Sequence, residues 1–364
     1  MKVLHILYSG LGGHGNVFFS MVSADTAKEY NYAALFNGVE PPREEYIERC
    51  VHDNIAWSYV RKKRGLHPGF YLQLYRNIRR ASPDVILLHG GIAIIPCRLA
   101  KLFSGNIKKI LVRETQANHL KNRGDWLRLS LAMMFADKMV YLSEEYRAQV
   151  QQKLKWLYKK NRTVVIPNGI DLHLFSPSSE LKQSSLFVLG MQSRLVSIKD
   201  HSTLFAAFSL LKKQAPDLAL QLQVAGDGEC KNELVELAKQ LKIEKNVVFC
   251  GTIGEKELVI FLQGLSIYVH ASLGETMSTA IMQAMACGKP VVASDVNGIN
   301  NMIQHNVNGL LVPPREAEKM AFALMELINN EDLRKRLARS ALVFAQENFS
   351  NLTMFERYKK AITD

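Results

Sequence analysis

Apolar residues fall along this chain in two rhythms. Short runs with little polar interruption, Val3 to Tyr8, Asp84 to Leu88, Ile110 to Val112, Lys138 to Leu142 and Thr163 to Ile166, alternate with segments of helical periodicity. A second series follows in Leu186 to Gly190, Leu220 to Ala225, Val247 to Phe249, Ser266 to Val269 and Val291 to Ser294. Such runs suit strands buried on both faces, and the segments between them suit covering helices. The pattern therefore predicts two α/β domains, each a doubly wound parallel sheet. Between the series, Pro167-Asn168-Gly169 forms a turn cluster and Phe175-Ser176-Pro177-Ser178-Ser179 has linker composition, which puts a hinge near residues 170–182. Ligands of such sheets bind beyond the carboxyl ends of the strands, so two domains face to face are expected to hold a substrate in the cleft between them.

The sharpest local pattern runs from Ser272 to Ser294. A polar loop containing Glu275 gives way to an apolar helical face, Gly288 suits a left-handed stop, Lys289-Pro290 blocks further helix, and Val291-Val292-Ala293 resumes a strand. At such a helix start the N–H groups of Thr276 to Ala280 are expected to face outward unpaired, where the helix dipole favours an anion such as a nucleotide diphosphate. If one helix takes in both Glu275 and Gln283, the two lie about 12 Å apart along it and about 80° apart around it, placing polar groups on either side of a diphosphate.

With 364 residues, 48% of them hydrophobic and 22% charged, the chain has material for two globular cores. The best candidate for a membrane span, Val85 to Ala100, is interrupted by His89, Gly90, Gly91, Pro96 and Arg98, so none is expected. Met1 to Tyr8 runs into a Gly-rich turn with no cleavage site and reads as a buried strand. Five scattered cysteines without metal-type spacing fit thiols in a reducing cytoplasm. Charge is uneven: residues 1–175 hold 26 Lys and Arg against 14 Asp and Glu, whereas residues 176–364 hold 20 of each. The whole excess of +12 lies in the first half and points to an acidic partner, anionic lipid or nucleic acid, with a solvated basic face as the alternative.

Three short motifs carry candidate chemistry. Gly10-Leu11-Gly12-Gly13-His14-Gly15 follows the first strand and lets backbone approach a ligand, although its spacing is not the dinucleotide fingerprint. Ser193 to Lys199 follows the first strand of the second series and offers Arg194, a planar fork, and Lys199, a point charge, as a clamp for a diphosphate. Val224 to Glu229 is a strand running into a tight turn. There is no Asp-x-Asp anywhere, so a divalent-metal sugar-nucleotide site is not supported.

Together these residues resemble a retaining family-4 glycosyltransferase of the GT-B fold over nearly the whole chain. Glu275 with its helix and Gly288-Lys289-Pro290-Val291-Val292 carries the resemblance, with Arg194, Lys199, Val165 to Asp171, Gly226-Asp227-Gly228, Phe249-Cys250-Gly251 and Asn308 to Val312 in support. The resemblance implies two Rossmann-like domains with an NDP-sugar in the cleft: 1–174 for the acceptor, 175–346 for the donor, and a helix over 347–364 packing back on the first. It implies that Arg194 and Lys199 neutralise the leaving diphosphate and that Glu275 holds a donor-sugar hydroxyl. Backbone N–H groups of Met277, Ser278 and Thr279 would meet sugar and phosphate, Gly251-Thr252 would pass near the base, and Gly12 and Gly13 would face the diphosphate and acceptor. A cleft histidine is expected near His119, with Glu114 as the competing polar group in that loop and His89 a further candidate. Gln283 stands where the family commonly has a second Glu accepting from ribose hydroxyls, and Thr276-Met277-Ser278 replaces the usual Gly-Phe-Gly.

The implied activity is metal-independent hexosyl transfer, with retention, from an NDP-sugar to a glycan or lipid-linked acceptor in cell-surface polysaccharide or lipopolysaccharide assembly. The resemblance also implies that the leaving diphosphate itself would help deprotonate the acceptor, so no side-chain nucleophile and no cofactor are expected. The alternatives are a GT-B sugar-nucleotide epimerase or hydrolase, or a non-catalytic NDP-sugar- or nucleic-acid-binding protein. Nucleic acid is not the expected partner. Basic, partly aromatic stretches, Lys121 to Phe135 and Lys153 to Arg162, have the mixture of interfacial helices, so a cytoplasmic protein peripheral on an anionic membrane is expected.

Overall fold

The computed structural model describes residues 1–10, 13–63, 65, 67–178 and 186–364. The chain divides into two compact units, Met1–Gly169 with Asn351–Asp364, and Ile170–Ser350.

In the first unit seven parallel strands, β1 (Lys2–Tyr8), β2 (Asn31–Gly38), β3 (Ala56–Arg61), β4 (Val85–His89), β5 (Lys109–Arg113), β6 (Lys138–Tyr141) and β7 (Thr163–Val165), lie in the order β3-β2-β1-β4-β5-β6-β7. The helices are α1 (Gly13–Ala24), α2 (Glu44–His52), α3 (Pro68–Ala81), α4 (Ile94–Ser104), α5 (Arg123–Phe135) and α6 (Glu144–Lys153). In the second unit β8 (Phe187–Gln192), β9 (Leu220–Ala225), β10 (Val247–Gly251), β11 (Ile267–His270), β12 (Val291–Ser294) and β13 (Leu310–Val312) lie in the order β10-β9-β8-β11-β12-β13, again parallel. Its helices are α7 (His201–Gln214), α8 (Lys231–Gln240), α9 (Glu255–Gly264), α10 (Thr279–Ala286), α11 (Ala317–Asn329) and α12 (Glu331–Asn348), and α13 (Asn351–Thr363) returns to the first unit.

Each sheet is covered on both faces, as its apolar strands require. In the first unit α3, α4, α5 and α6 bury Leu74, Ile94, Cys97, Leu129, Ala132 and Val150 on one face. Helices α1, α2 and α13 bury Phe18, Phe19, Cys50, Met354 and Tyr358 on the other. Helix α13 is tied down by Asn351 Nδ2 donating to the Ser20 carbonyl at 3.3 Å and by Lys109 Nζ donating to the Ile362 carbonyl at 2.8 Å. The first unit ends at Gly169, ahead of residue 174, because Ile170 and Phe175 are buried in the apolar cluster of the second unit, with Leu172 and Leu174 packed against it. Strands β2, β3 and β13 are additions to the sequence pattern: β2 carries Asn, Ala and Gly among its apolar residues, β3, at the sheet edge, exposes Trp57, and β13, at the other sheet's edge, has only three residues.

Strand order reverses direction between β1 and β4 in the first unit and between β8 and β11 in the second. The loops beyond these pairs of strands are where a doubly wound sheet presents a ligand site.

Candidate functional site

Residues Ser193–Lys199 leave β8 and residues 271–278 leave β11, so both loops rise from the switch point of the second sheet. They are stitched together by Leu273 N–H donating to the Ile198 carbonyl at 2.8 Å and by the Ser272 hydroxyl donating to the same carbonyl at 3.2 Å. Beneath them, Leu195 N–H donates to the Asp227 carbonyl at 3.0 Å and Gly226 N–H to the Gly251 carbonyl at 2.7 Å. The Gly226-Asp227-Gly228 turn and the Gly251 strand end thus support the Arg194 loop from below. On the far side, Glu275 N–H donates to the Asn297 carbonyl at 3.2 Å. Gly298 there has φ +86°, and a Cβ on it would lie 2.3 Å from the Glu275 carbonyl oxygen. Only glycine allows that approach.

The centre of the site is Glu275. Its Oε1 pairs with Lys199 Nζ and lies 2.9 Å from His270 Nε2. His270 is fully buried, and its Nδ1 lies 3.1 Å from the Tyr268 hydroxyl. An ionised carboxylate only accepts, so His270 Nε2 carries the proton and Nδ1 accepts from Tyr268. Burial alone would raise the Glu275 pKa, but the Lys199 charge and the His270 bond outweigh it and hold the carboxyl at about 2. Burial first, and Lys199 in addition, push His270 below its ordinary value despite Glu275, so it is neutral. His201, 3.0 Å from the Ser193 hydroxyl, is lowered to about 4, by burial first and then by neighbouring His270 and Lys199. Tyr268, His270, Glu275 and Lys199 form one oriented chain of polar groups at the mouth of a dry strand. Among the described residues, every side-chain contact of Glu275 uses Oε1, which leaves Oε2 to accept a ligand hydroxyl.

The expected helix start moves by three residues. Helix α10 begins at Thr279, and the Ser278 hydroxyl caps it by accepting from Ile281 N–H at 3.4 Å. Glu275 lies ahead of the helix, so the helical arithmetic relating it to Gln283 does not apply. Thr276 and Met277 are loop residues, and the open end of the helix is formed by Thr279 and Ala280. Gln283 is buried, its Oε1 accepting from Gln192 Nε2 at 3.4 Å. Arg194 is exposed, and among the described residues its guanidinium makes no hydrogen bond or ion pair. Gly251 closes β10 and Thr252 is exposed beyond it.

In the first unit Gly13 opens α1, and Gly12 lies outside the described residues. His119 is exposed on a short turn, whereas Glu114 is buried, 3.3 Å from both Lys121 Nζ and the Tyr146 hydroxyl. His89, the further candidate from the sequence, sits in a cluster at this unit's switch point whose other members sequence reasoning did not assign to the site. His5 Nδ1 lies 3.1 Å from His89 Nε2, and Arg113 reaches His89 Nδ1 at 3.4 Å and also bonds the Asn168 carbonyl oxygen of the side chain. Sequence reasoning also missed His270 and Gln192. The available signal was a histidine in or at the carboxyl end of an otherwise apolar central strand, a position shared by His5, His89 and His270. Among the described residues no three His, Cys, Asp or Glu side chains converge as metal ligands do.

Two family models match end to end. Residues 11–174 match Glycosyltransferase Family 4 and residues 175–342 match Glycosyl transferases group 1. The chain is similar to an uncharacterized glycosyltransferase of Haemophilus influenzae, 28% identical over 339 residues that span 92% of each protein. It is similar to alpha-monoglucosyldiacylglycerol synthase of Streptococcus pneumoniae, 29% identical over 236 residues, which span 61% of this chain and 50% of that protein. Among solved structures, Anabaena HepE in complex with UDP and glucose superposes with a TM-score of 0.83 at 19% identity, covering 100% of both chains. The fold, both sheets and these matches agree: the chain belongs to the family-4 glycosyltransferases of the GT-B fold.

Proposed function

We propose that the protein moves a hexose from an NDP-sugar to a glycan or lipid-linked acceptor, with retention and without a metal, in cell-surface polysaccharide assembly. The observation that carries this reading is Glu275 at the switch point, with Oε1 occupied by Lys199 and His270 and, among the described residues, Oε2 turned to no other side chain. A carboxylate fixed in this way accepts from a sugar hydroxyl without moving. Lys199, already in place, meets the charge that develops on the departing diphosphate, and the exposed Arg194 swings in as the second cation. Such prepositioned charges act mainly where charge appears in the transition state. The open end of α10 adds N–H donors for the same anion.

A uridine nucleotide is the first donor to test, since the similarly folded HepE structure holds UDP and glucose. Similarity to a glucosyldiacylglycerol synthase supports a lipid-linked acceptor. Labelled NDP-sugars incubated with and without a membrane extract and a chelator supply the test. Label that enters acceptor only when extract is present, with chelator tolerated, is the expected result. Donor consumed equally without extract would make the protein a hydrolase or epimerase, and an untouched panel would make it a binding protein.

A further inference from the structure

The outer surface of the first unit carries an apolar ridge that its core does not use. Helix α4 faces the sheet with Ile94, Cys97 and Ala100, all buried. On the opposite side Arg98, Leu102, Ile95, Leu99 and Phe103 fall consecutively within about 140° of the helix circumference. Leu102 is 61% exposed and Phe103 68%. Helix α5, packed beside α4, repeats the arrangement: Leu129, Ala132 and Met133 face inward, while Leu127 is 62% exposed with Met134 on the same outward stripe. A surface helix that is apolar on both sides needs a second apolar neighbour.

Charge identifies that neighbour. Helices α3, α4 and α5 contain seven Arg and Lys (Arg76, Arg79, Arg80, Arg98, Lys101, Arg123 and Arg128) and one acid, Asp125. Asp125, buried in the N-terminal capping box of α5, pairs with Arg128, and Lys101 pairs with Asp137, so among the described residues Arg76, Arg79, Arg80, Arg98 and Arg123 stand around the ridge without an acidic partner. A second copy docked here by twofold symmetry would set arginine against arginine. A nucleic acid would neutralise the cations and leave the leucines in water. An anionic bilayer satisfies both, accepting the apolar side chains among its acyl chains and the arginines among its phosphates.

We propose that the outer face of α3, α4 and α5 seats the protein on an anionic lipid surface, with Leu99, Leu102 and Phe103 inserted. The proposal goes beyond the transferase reading and does not depend on it, because the assay contains neither donor nor acceptor. The full chain is sedimented with vesicles of phosphatidylcholine alone or mixed with phosphatidylglycerol, at low and high salt. Binding is expected to the mixed vesicles and to weaken with salt. The double variant Leu102→Glu/Phe103→Glu is expected to lower affinity about tenfold or more. Phe322→Glu, which changes an equally exposed aromatic on α11, should leave binding as in the wild type. Thermal melts confirm that both variants fold. No preference for the anionic vesicles, equal loss in both variants, or a wild-type dimer in sedimentation that the double variant dissolves would each overturn the proposal.

Discussion

Both sheets bring buried imidazole to their switch points, and they treat its charge in opposite ways. In the second unit His270 meets a carboxylate and an ammonium, so the group as a whole is balanced. In the first, His5 and His89 meet the Arg113 guanidinium, and among the described residues no carboxylate joins them, because the neighbouring Glu114 is spent on Lys121. Arg113 only donates, so His89 Nδ1 must accept, His89 Nε2–H then donates to His5 Nδ1, and His5 Nε2 is left holding a proton. Among the described residues no hydrogen-bond partner meets that nitrogen. Burial first, and Arg113 second, lower His5 to about 3 and push His89 well below its usual range. A balanced site can change the charge it holds when an anionic donor arrives. The cationic one fixes its surroundings, including Asn168 just ahead of the end of the first unit.

The largest expected contrast between the two switch points concerns their glycines. Gly298→Ala must both occupy φ +86° and drive a methyl into the Glu275 carbonyl, a combined destabilisation of roughly 3 kcal/mol or more. Gly90, at the end of β4, has φ +99° with nothing within 4 Å of a built Cβ, so Gly90→Ala carries only the backbone cost, about 1–2 kcal/mol. Chemical denaturation of the two variants checks this, and equal losses would mean that the backbone around Glu275 yields more readily than its contacts suggest.

Next in size is catalysis. Glu275→Ala and Lys199→Ala are each expected to lower turnover at least tenfold, about 1.4 kcal/mol or more of transition-state stabilisation. Since the two groups touch, the double variant should lose less than the product of the single losses. His119→Ala serves as the comparison from the first unit. Its ring is exposed, and a loss as large as that of Glu275→Ala would show that the exposed turn, and not buried Glu114, carries the polar group that acts there.

Why these groups were only partly legible follows from where the information resides. Glu275, Lys199 and Arg194 sit in loops between sharply bounded elements, where a charged residue has few structural duties, so their chemistry shows in the linear text. His270, His5 and His89 lie in apolar strands, and only pairing in space shows that one meets Glu275 while the others meet Arg113. The parallel sheets followed from runs buried on both faces, whereas edge strand β3, with Trp57 exposed, lacked that signature. The start of α10 was displaced because Ser278, a stronger cap than Glu275, sits three residues further on and takes the capping bond.

Acid sharpens the comparison further. A histidine lowered in the folded state stabilises fully above its unfolded value and loses that contribution as pH falls. For His5 the loss spans 6.5 down to about 3, and for Glu275 it spans 4.5 down to about 2. In the second unit His201, lowered to about 4, begins its loss at the same 6.5, so both units should start to loosen in one window, with the His5 loss running on to lower pH. All three tryptophans, Trp57, Trp126 and Trp156, belong to the first unit, so indole fluorescence follows that unit while labelling of buried Cys287 follows the second, and both should begin to change as pH falls below 6.5. Arg113→Met removes the second of the two causes acting on His5, and its imidazole titration by NMR should move upward yet stay below 6.5 because burial persists. A downward move would mean that Arg113 is not what holds this pair neutral.

The smallest expected effect falls on Gln283. Its amide oxygen accepts from Gln192, and a carboxylate at the same place would keep that bond with added charge. Gln283→Glu also supplies a stronger acceptor for ribose hydroxyls, worth something like 1 kcal/mol per bond over a neutral amide. Against this, position 283 is only 3% exposed, and a buried carboxylate loses hydration. The two terms oppose and nearly cancel, so calorimetry should show donor affinity preserved or modestly tightened. Much weaker binding would mean that desolvation wins, and that the Gln192–Gln283 pair is neutral because the surrounding helix and strand leave no room for a charge.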